Sequence, residues 1–209
     1  MSDRSSPGDP LTTPSSATAR TAEHELLATV ASGSRSAMAR VYFLYVARLA
    51  NFFVHMGASA SLVEELISDT MFDVWWECGT IRSDASVAVW IMGLAYSHGQ
   101  MRLGRTELAG PPVLPSGPHT AHEIAVTTTS RKRGSLQDLL LALPFEERVV
   151  FHLVYSGCHS RQSVADIMNM SAERVDVLLT QSRHRLWYSK EESKRAGSSS
   201  RSRTLTFAK

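Results

Sequence analysis

The segment spanning residues 157–186, GCHSRQSVADIMNMSAERVDVLLTQSRHRL, constrains the fold of this chain more than any other, because it encodes two short amphipathic helices joined by a tight turn. Val164, Ile167 and Met168 fall at i, i+3 and i+4 in the first helix, and Val175, Leu178, Leu179 and Leu186 repeat with the same period in the second. Between them, Asn169-Met170-Ser171 supplies a residue tolerant of the left-handed conformation, a buried plug, and a serine placed to cap the second helix, with Glu173 in its first turn. This is the grammar of a helix-turn-helix, whose second helix enters the DNA major groove. Arg174, Arg183, His184 and Arg185 decorate that helix. An ordinary helical hairpin with a solvated basic face shows the same local pattern, so the surrounding chain has to decide between the two.

Upstream, Pro144 sits where a helix begins, Glu146 and Glu147 suit the positive end of its dipole, and Val149, Val150, Leu153 and Val154 form its apolar face. Ser135 with Asp138 makes a capping-box-like start for one more helix, containing Leu139, Leu140 and Leu143. Residues 135–190 therefore form a four-helix unit. Before it, residues 106–134 contain Pro111, Pro112, Pro115 and Pro118 and then Arg131-Lys132-Arg133, with no periodic apolar face, the composition of a linker. Residues 1–20 are rich in Ser, Thr and Pro, and residues 191–209 form a basic tail; both ends read as disordered.

Residues 21–105 read as helices throughout. Thr21 precedes a short helix closed by Gly33. Met38, Val41, Tyr45, Leu49, Phe52, Phe53 and Met56 trace a stripe on a long helix that ends at Gly57. Ser61 with Glu64 is a capping box for a third helix with Val63, Leu66, Ile67, Met71 and Val74 on its core face. A fourth contains Val87, Trp90, Ile91, Leu94 and Ala95. The expected fold is all-α: two small helical domains with separate cores, joined by a flexible linker, the C-terminal one a helix-turn-helix.

No run of apolar residues approaches the roughly 18–20 of a membrane span, and the N-terminus lacks the apolar segment of a secretory signal, so no membrane insertion and a cytoplasmic location are expected. Cys78 and Cys158 are too few for a disulfide framework and are read as free thiols. A net charge of +2 does not by itself mark a nucleic-acid binder. Cys158-His159 beside His152, and His119 near His122, lack a third partner or an orienting acid, so no enzyme activity, metal or cofactor is expected.

The order of these parts resembles the extracytoplasmic-function (ECF) group of bacterial RNA polymerase sigma factors over nearly all of residues 22–189. ASGSRSAMARVYFLYVARLANFFVHMG (31–57) is similar to the family's opening turn and long helix, and LVEELISDTMFDVWW (62–76) to its acidic helix ending in tryptophan. VAVWIMGLAYSHGQMRLGR (87–105) is similar to the helix that reads the promoter −10 element, and LLLALPFEERVVFHLVYSG (139–157), with the helix-turn-helix after it, to the domain that reads the −35 element. The resemblance implies core RNA polymerase, through its clamp and flap, and promoter DNA as partners. It places Glu64, Glu65 and Asp69 on the clamp. It assigns −10 contacts to Trp76, Ile81, Arg82, Tyr96, His98, Gln100, Arg102 and Arg105, and −35 contacts to Ser171, Arg174, Gln181, Arg183 and Arg185. A solvated charged face explains the same acids without a partner, and Trp75 and Trp90 coincide with apolar stripes and read as core.

Several positions depart from the family pattern. Leu62 stands where an acid is usual, Ser97 and Met101 replace an asparagine and an aspartate, and Asp176, Leu178 and Gln181 replace basic residues. Each lost phosphate contact weakens binding at every sequence. Two readings follow: a divergent sigma factor that directs promoter-specific initiation, or a sigma-like regulatory interaction module that binds polymerase or a regulator without reading promoters. Ser59 and Ser61 flank the start of the acidic helix, where the resemblance raises control by a Ser/Thr kinase beside control by an anti-sigma factor. Phosphate there would meet a helix N-terminus and add charge next to Leu62.

Overall fold

The computed structural model describes residues 16–104 and 136–203, with side chains described for 20–104 and 136–191. The linker 106–134, the ends 1–15 and 204–209, Arg105 and Ser135 lie outside the described residues. All regular structure among the described residues is helical: α1 (Ser16–Ala31), α2 (Arg35–His55), α3 (Ala60–Glu77), α4 (Val87–Gly99), α5 (Leu136–Leu141), α6 (Phe145–Tyr155), α7 (Arg161–Met168) and α8 (Ala172–Arg203). A 3-10 turn, Cys78–Thr80, follows α3, and a π-turn, Gln100–Gly104, continues α4.

Local chemistry sets most of the boundaries. Gly33 takes φ +90 between α1 and α2, and the Ser34 side chain then caps α2 by accepting from the Ala37 N–H. Pro144 is the residue that opens α6. Asn169 closes α7 in the left-handed region (φ 51, ψ 51), Met170 packs half-buried against the core, and the Ser171 hydroxyl accepts from the Arg174 N–H at 3.2 Å to start α8. The turn between α7 and α8 is thus built from the residues that announce it. Two boundaries differ from expectation. α1 begins at Ser16 rather than Thr21, and α8 runs to Arg203 rather than stopping near 190; no Pro interrupts the chain between 187 and 203.

The expectation of two separate cores is corrected. Leu49, Phe52, Phe53, Leu66, Val74 and Ile91 from the first four helices join Phe145, Val149, Leu153, Val164, Ile167 and Val175 in one continuous buried cluster. α7 packs along α4, and α6 against the π-turn. Small residues permit the approach. Gly93 of α4 faces the Ile167 carbonyl oxygen at a distance where a Cβ would make ordinary contact, 3.6 Å, whereas a Cβ on Gly57, already at φ +89, would lie only 3.1 Å from Leu141 Cδ2. Burying the facing apolar surfaces of two small helical units together is more favourable than leaving each half wet.

Length and composition alone would let α2 cross a membrane. Its apolar residues have another use here: Val41, Tyr45, Leu49, Phe52 and Phe53 are core. Trp75 and Trp90 pack half-buried against that core, as their place on the stripes predicts.

Candidate nucleic-acid interface

On α8, Arg174, Gln181, Arg183, His184 and Arg185 are exposed around the helix, while Val175, Leu178 and Leu179 are buried. Leu178 therefore stands at a packing position and is no candidate for a base contact. Much of the outward charge is already paired. Arg174 lies 3.5 Å from Glu146, Asp176 is held by Arg161 at 2.7 Å, and Arg185 Nε donates to Glu147 Oε1 at 3.1 Å. Glu147 is buried, and its Oε2 has no hydrogen-bond partner among the described residues. Pulling Arg185 onto a phosphate would leave that carboxylate buried and uncompensated, which costs several kcal/mol. Gln181 and Arg183 are exposed, and the His184 ring lies 4.4 Å from that of Tyr188.

The residues assigned to −10 contact are scattered by comparison. Tyr96 is buried and stacks on Phe145 with ring centroids 6.2 Å apart, so it faces the helix-turn-helix unit rather than solvent. Burial, with Glu146 second, pushes its phenol up to about 12. His98 is hydrogen-bonded to Asp73 at 2.7 Å, and Arg102 donates to Glu65 at 2.7 Å, which joins an expected DNA contact to an expected clamp contact. Arg82 grips Asp84 through two nitrogens at 3.0 and 2.7 Å and holds that carboxyl below its usual range. Ile81 packs half-buried against the core, Gln100 is exposed, and Trp76 is exposed and stacked on Phe72. A cleft of about 710 Å³ runs between α4 and α7, with Arg82, Trp90 and Ser97 on one wall and Ser163, Asp166 and Asn169 on the other.

The outer face of α3 is the most coherent surface of the chain. Glu65, Asp69, Phe72 and Trp76 are all exposed and repeat at i, i+4, i+7 and i+11, with Glu64 alongside. Phe72 was not among the expected contacts, although its period places it on this stripe. The helix holds five acids and no base. Leu62 packs half-buried against the core, which explains why an apolar residue fits where an acid is usual.

The cap of this helix is Ser59, not Ser61. Ser59 has the extended backbone of a cap (φ −68, ψ 162), and its side chain accepts from the Leu62 N–H at 3.4 Å; Ser61 already lies inside the first turn and bonds the Ser59 hydroxyl at 3.2 Å. Ser59→Ala should therefore cost about 1 kcal/mol in urea unfolding and Ser61→Ala about half of that or less. Equal losses for the two would overturn this placement of the cap.

No family model matches the sequence, and no curated protein matches it. Solved structures do. CnrH, in complex with the cytosolic domain of CnrY, aligns with a TM-score of 0.62 at 18% identity over 82% of this chain and 98% of that one. The sigma factor RpoE from Bartonella quintana, in complex with the anti-sigma factor NepR, aligns with a TM-score of 0.53 at 18% identity over 70% of this chain and 92% of that one. The chain has the fold of the ECF sigma factors, carried by a strongly divergent sequence.

Proposed function

We propose that this chain is a sigma factor that binds core RNA polymerase through the outer face of α3 and directs initiation at a small set of promoters. The observation that carries the reading is one fold presenting both an unbroken acidic stripe ending in two stacked aromatics and a helix-turn-helix with a correctly capped second helix. Acidic complementarity to a basic clamp sets register and association rate. Base contact falls to Arg174 and Gln181 and backbone contact to Arg183, joined by Arg185 only at the cost of releasing Glu147, with Trp76, Ile81, Arg82, His98, Gln100 and Arg102 serving the −10 side. Substituting Arg174 by Ala should cost about 1–3 kcal/mol of promoter affinity and relax base preference.

In this arrangement α7 lies on α4 and Phe145 covers Tyr96. Reading two promoter elements at once requires the two helical units to part, so the compact form is the resting one. One solved neighbour is held by an anti-sigma factor; a partner of that kind would keep this chain closed. A second reading has its own observation. Arg82, Arg102, Arg174 and Arg185 are all engaged with carboxylates of the chain, which suits an interaction module that binds polymerase or a regulator without reading DNA.

In vitro transcription with purified core polymerase separates the two. The first reading expects the chain to co-purify with core enzyme and to yield discrete transcripts from genomic fragments. Co-purification without transcripts selects the second, and neither result sinks both.

A further inference from the structure

The outer face of α2 has no role in the reading above. Phe43 is 76% exposed, Leu44 62% and Val54 50%, on a helix that carries Arg35, Arg40 and Arg48 and no acid. Helical geometry sorts these into two neighbouring ridges. Phe43, Ala47 and Val54 make an apolar one, broken by Asn51; Arg40, Leu44 and Arg48 make the next, with the two guanidinium groups on either side of a leucine. Leu44 and Arg40 also line a groove of about 410 Å³ between α1 and α2.

Arg35, Arg40 and Arg48 make no ion pair among the described residues, whereas Arg82, Arg102, Arg161, Arg174 and Arg185 each hold a carboxylate. Glu23 and Glu25 line the same groove; Glu23 accepts from the Tyr45 hydroxyl at 3.1 Å, and neither acid forms an ion pair with Arg40 among the described residues. A lipid surface would fit a broad apolar face rimmed by cations. Here the apolar ridge is one side chain wide and one arginine-bearing ridge lies directly beside it, dimensions that match a single helix.

We propose that the outer face of α2 is a docking surface for an acidic amphipathic helix of a partner protein, laid along α2 with its apolar side on Phe43, Leu44 and Ala47 and carboxylates on Arg40 and Arg48. Those two residues lie about 12 Å apart along the helix axis. The partner's acids are accordingly spaced two turns apart, at i and i+7 or i+8. This surface is separate from the α3 face and does not depend on polymerase binding.

The test uses the full chain and three probes: a synthetic amphipathic helix of about five turns with Leu on one face and Glu two turns apart on its flank, the same peptide with Lys at those positions, and phosphatidylglycerol vesicles. Anisotropy titration should give binding of the Glu peptide in the micromolar range, about tenfold tighter than the Lys peptide. Leu44→Ser and Phe43→Ser should weaken it by about tenfold, and Arg40→Glu with Arg48→Glu should reverse the preference toward Lys. Because these side chains are exposed, circular dichroism should show unchanged helicity. Equal affinity for both peptides, insensitivity to the Leu44 and Phe43 substitutions, or binding to vesicles with no preference for the Glu peptide would each overturn the proposal.

Discussion

Replacing Arg148 by methionine should destabilise the chain by about 3–5 kcal/mol, the largest loss expected from any single substitution outside the apolar core. The Arg148 side chain is buried, and its guanidinium donates to four carbonyl oxygens: Nε to Leu140 at 3.2 Å, Nη1 to Met56 at 2.7 Å, and Nη2 to Leu141 at 2.9 Å and Leu143 at 2.7 Å. The carbonyls of Leu140 and Leu141 belong to the last turn of α5, a helix of six residues, and that of Leu143 to the turn that leads into α6. The fourth is at the C-terminal end of α2, in the other helical unit. One side chain thus ties the two units together. Methionine keeps the stem and leaves the carbonyls desolvated; lysine keeps a charge and lacks the planar fork that reaches several acceptors at once, so it should recover only part of the loss. Urea unfolding checks both, and a loss below 1 kcal/mol for Arg148→Met would show that the carbonyls find other partners.

Acid should loosen the same junction. His152 of α6 is buried, with its ring 4.5 Å from that of His55 at the end of α2 and 6.1 Å from that of Phe52. Burial first, then His55 and His159, pushes its pKa down to about 4. Arg148 lies one turn earlier on the same helix, and Arg48 faces His159, whose own pKa is lowered by burial and by that arginine. The direction follows from linkage. The unfolded imidazole takes up its proton near pH 6.5 and the folded one near 4, so the fold keeps its full stability above pH 6.5 and loses it as pH falls through 4. His152 alone should account for about 2 kcal/mol by pH 5 and about 3 kcal/mol by pH 4. In urea unfolding between pH 7 and 5, where most carboxylates do not yet titrate, His152→Leu should flatten the slope; matching slopes for parent and variant would remove the assignment.

What could be read along the chain was what neighbours in sequence decide. Asn169 before Ser171, Pro144 before a pair of glutamates, and Gly33 and Gly57 after apolar stripes each act within one or two turns, where backbone sterics and orphan N–H groups leave few choices. Ser59 was missed as a cap because Ser61 satisfies the same local pattern, and only the backbone angle of Ser59 distinguishes them. The acids of α3 were singled out by the family resemblance. Their neighbours Phe72 and Trp76 became one surface only when seen stacked.

The two helices of the 157–186 segment with the turn between them, and the six helices before them, were determined by the sequence alone, because periodicity is short-range and the apolar stripes have one way to be buried. Only the tertiary structure decided that the two units share one core, that Tyr96 lies beneath Phe145, and that Arg102 and Arg185 answer Glu65 and Glu147. Those pairs join residues 37 and 38 positions apart. A charge on a helix surface records no partner in its own sequence; which carboxylate reaches it depends on how α4 meets α3 and how α8 crosses α6, which the packing of their apolar faces decides.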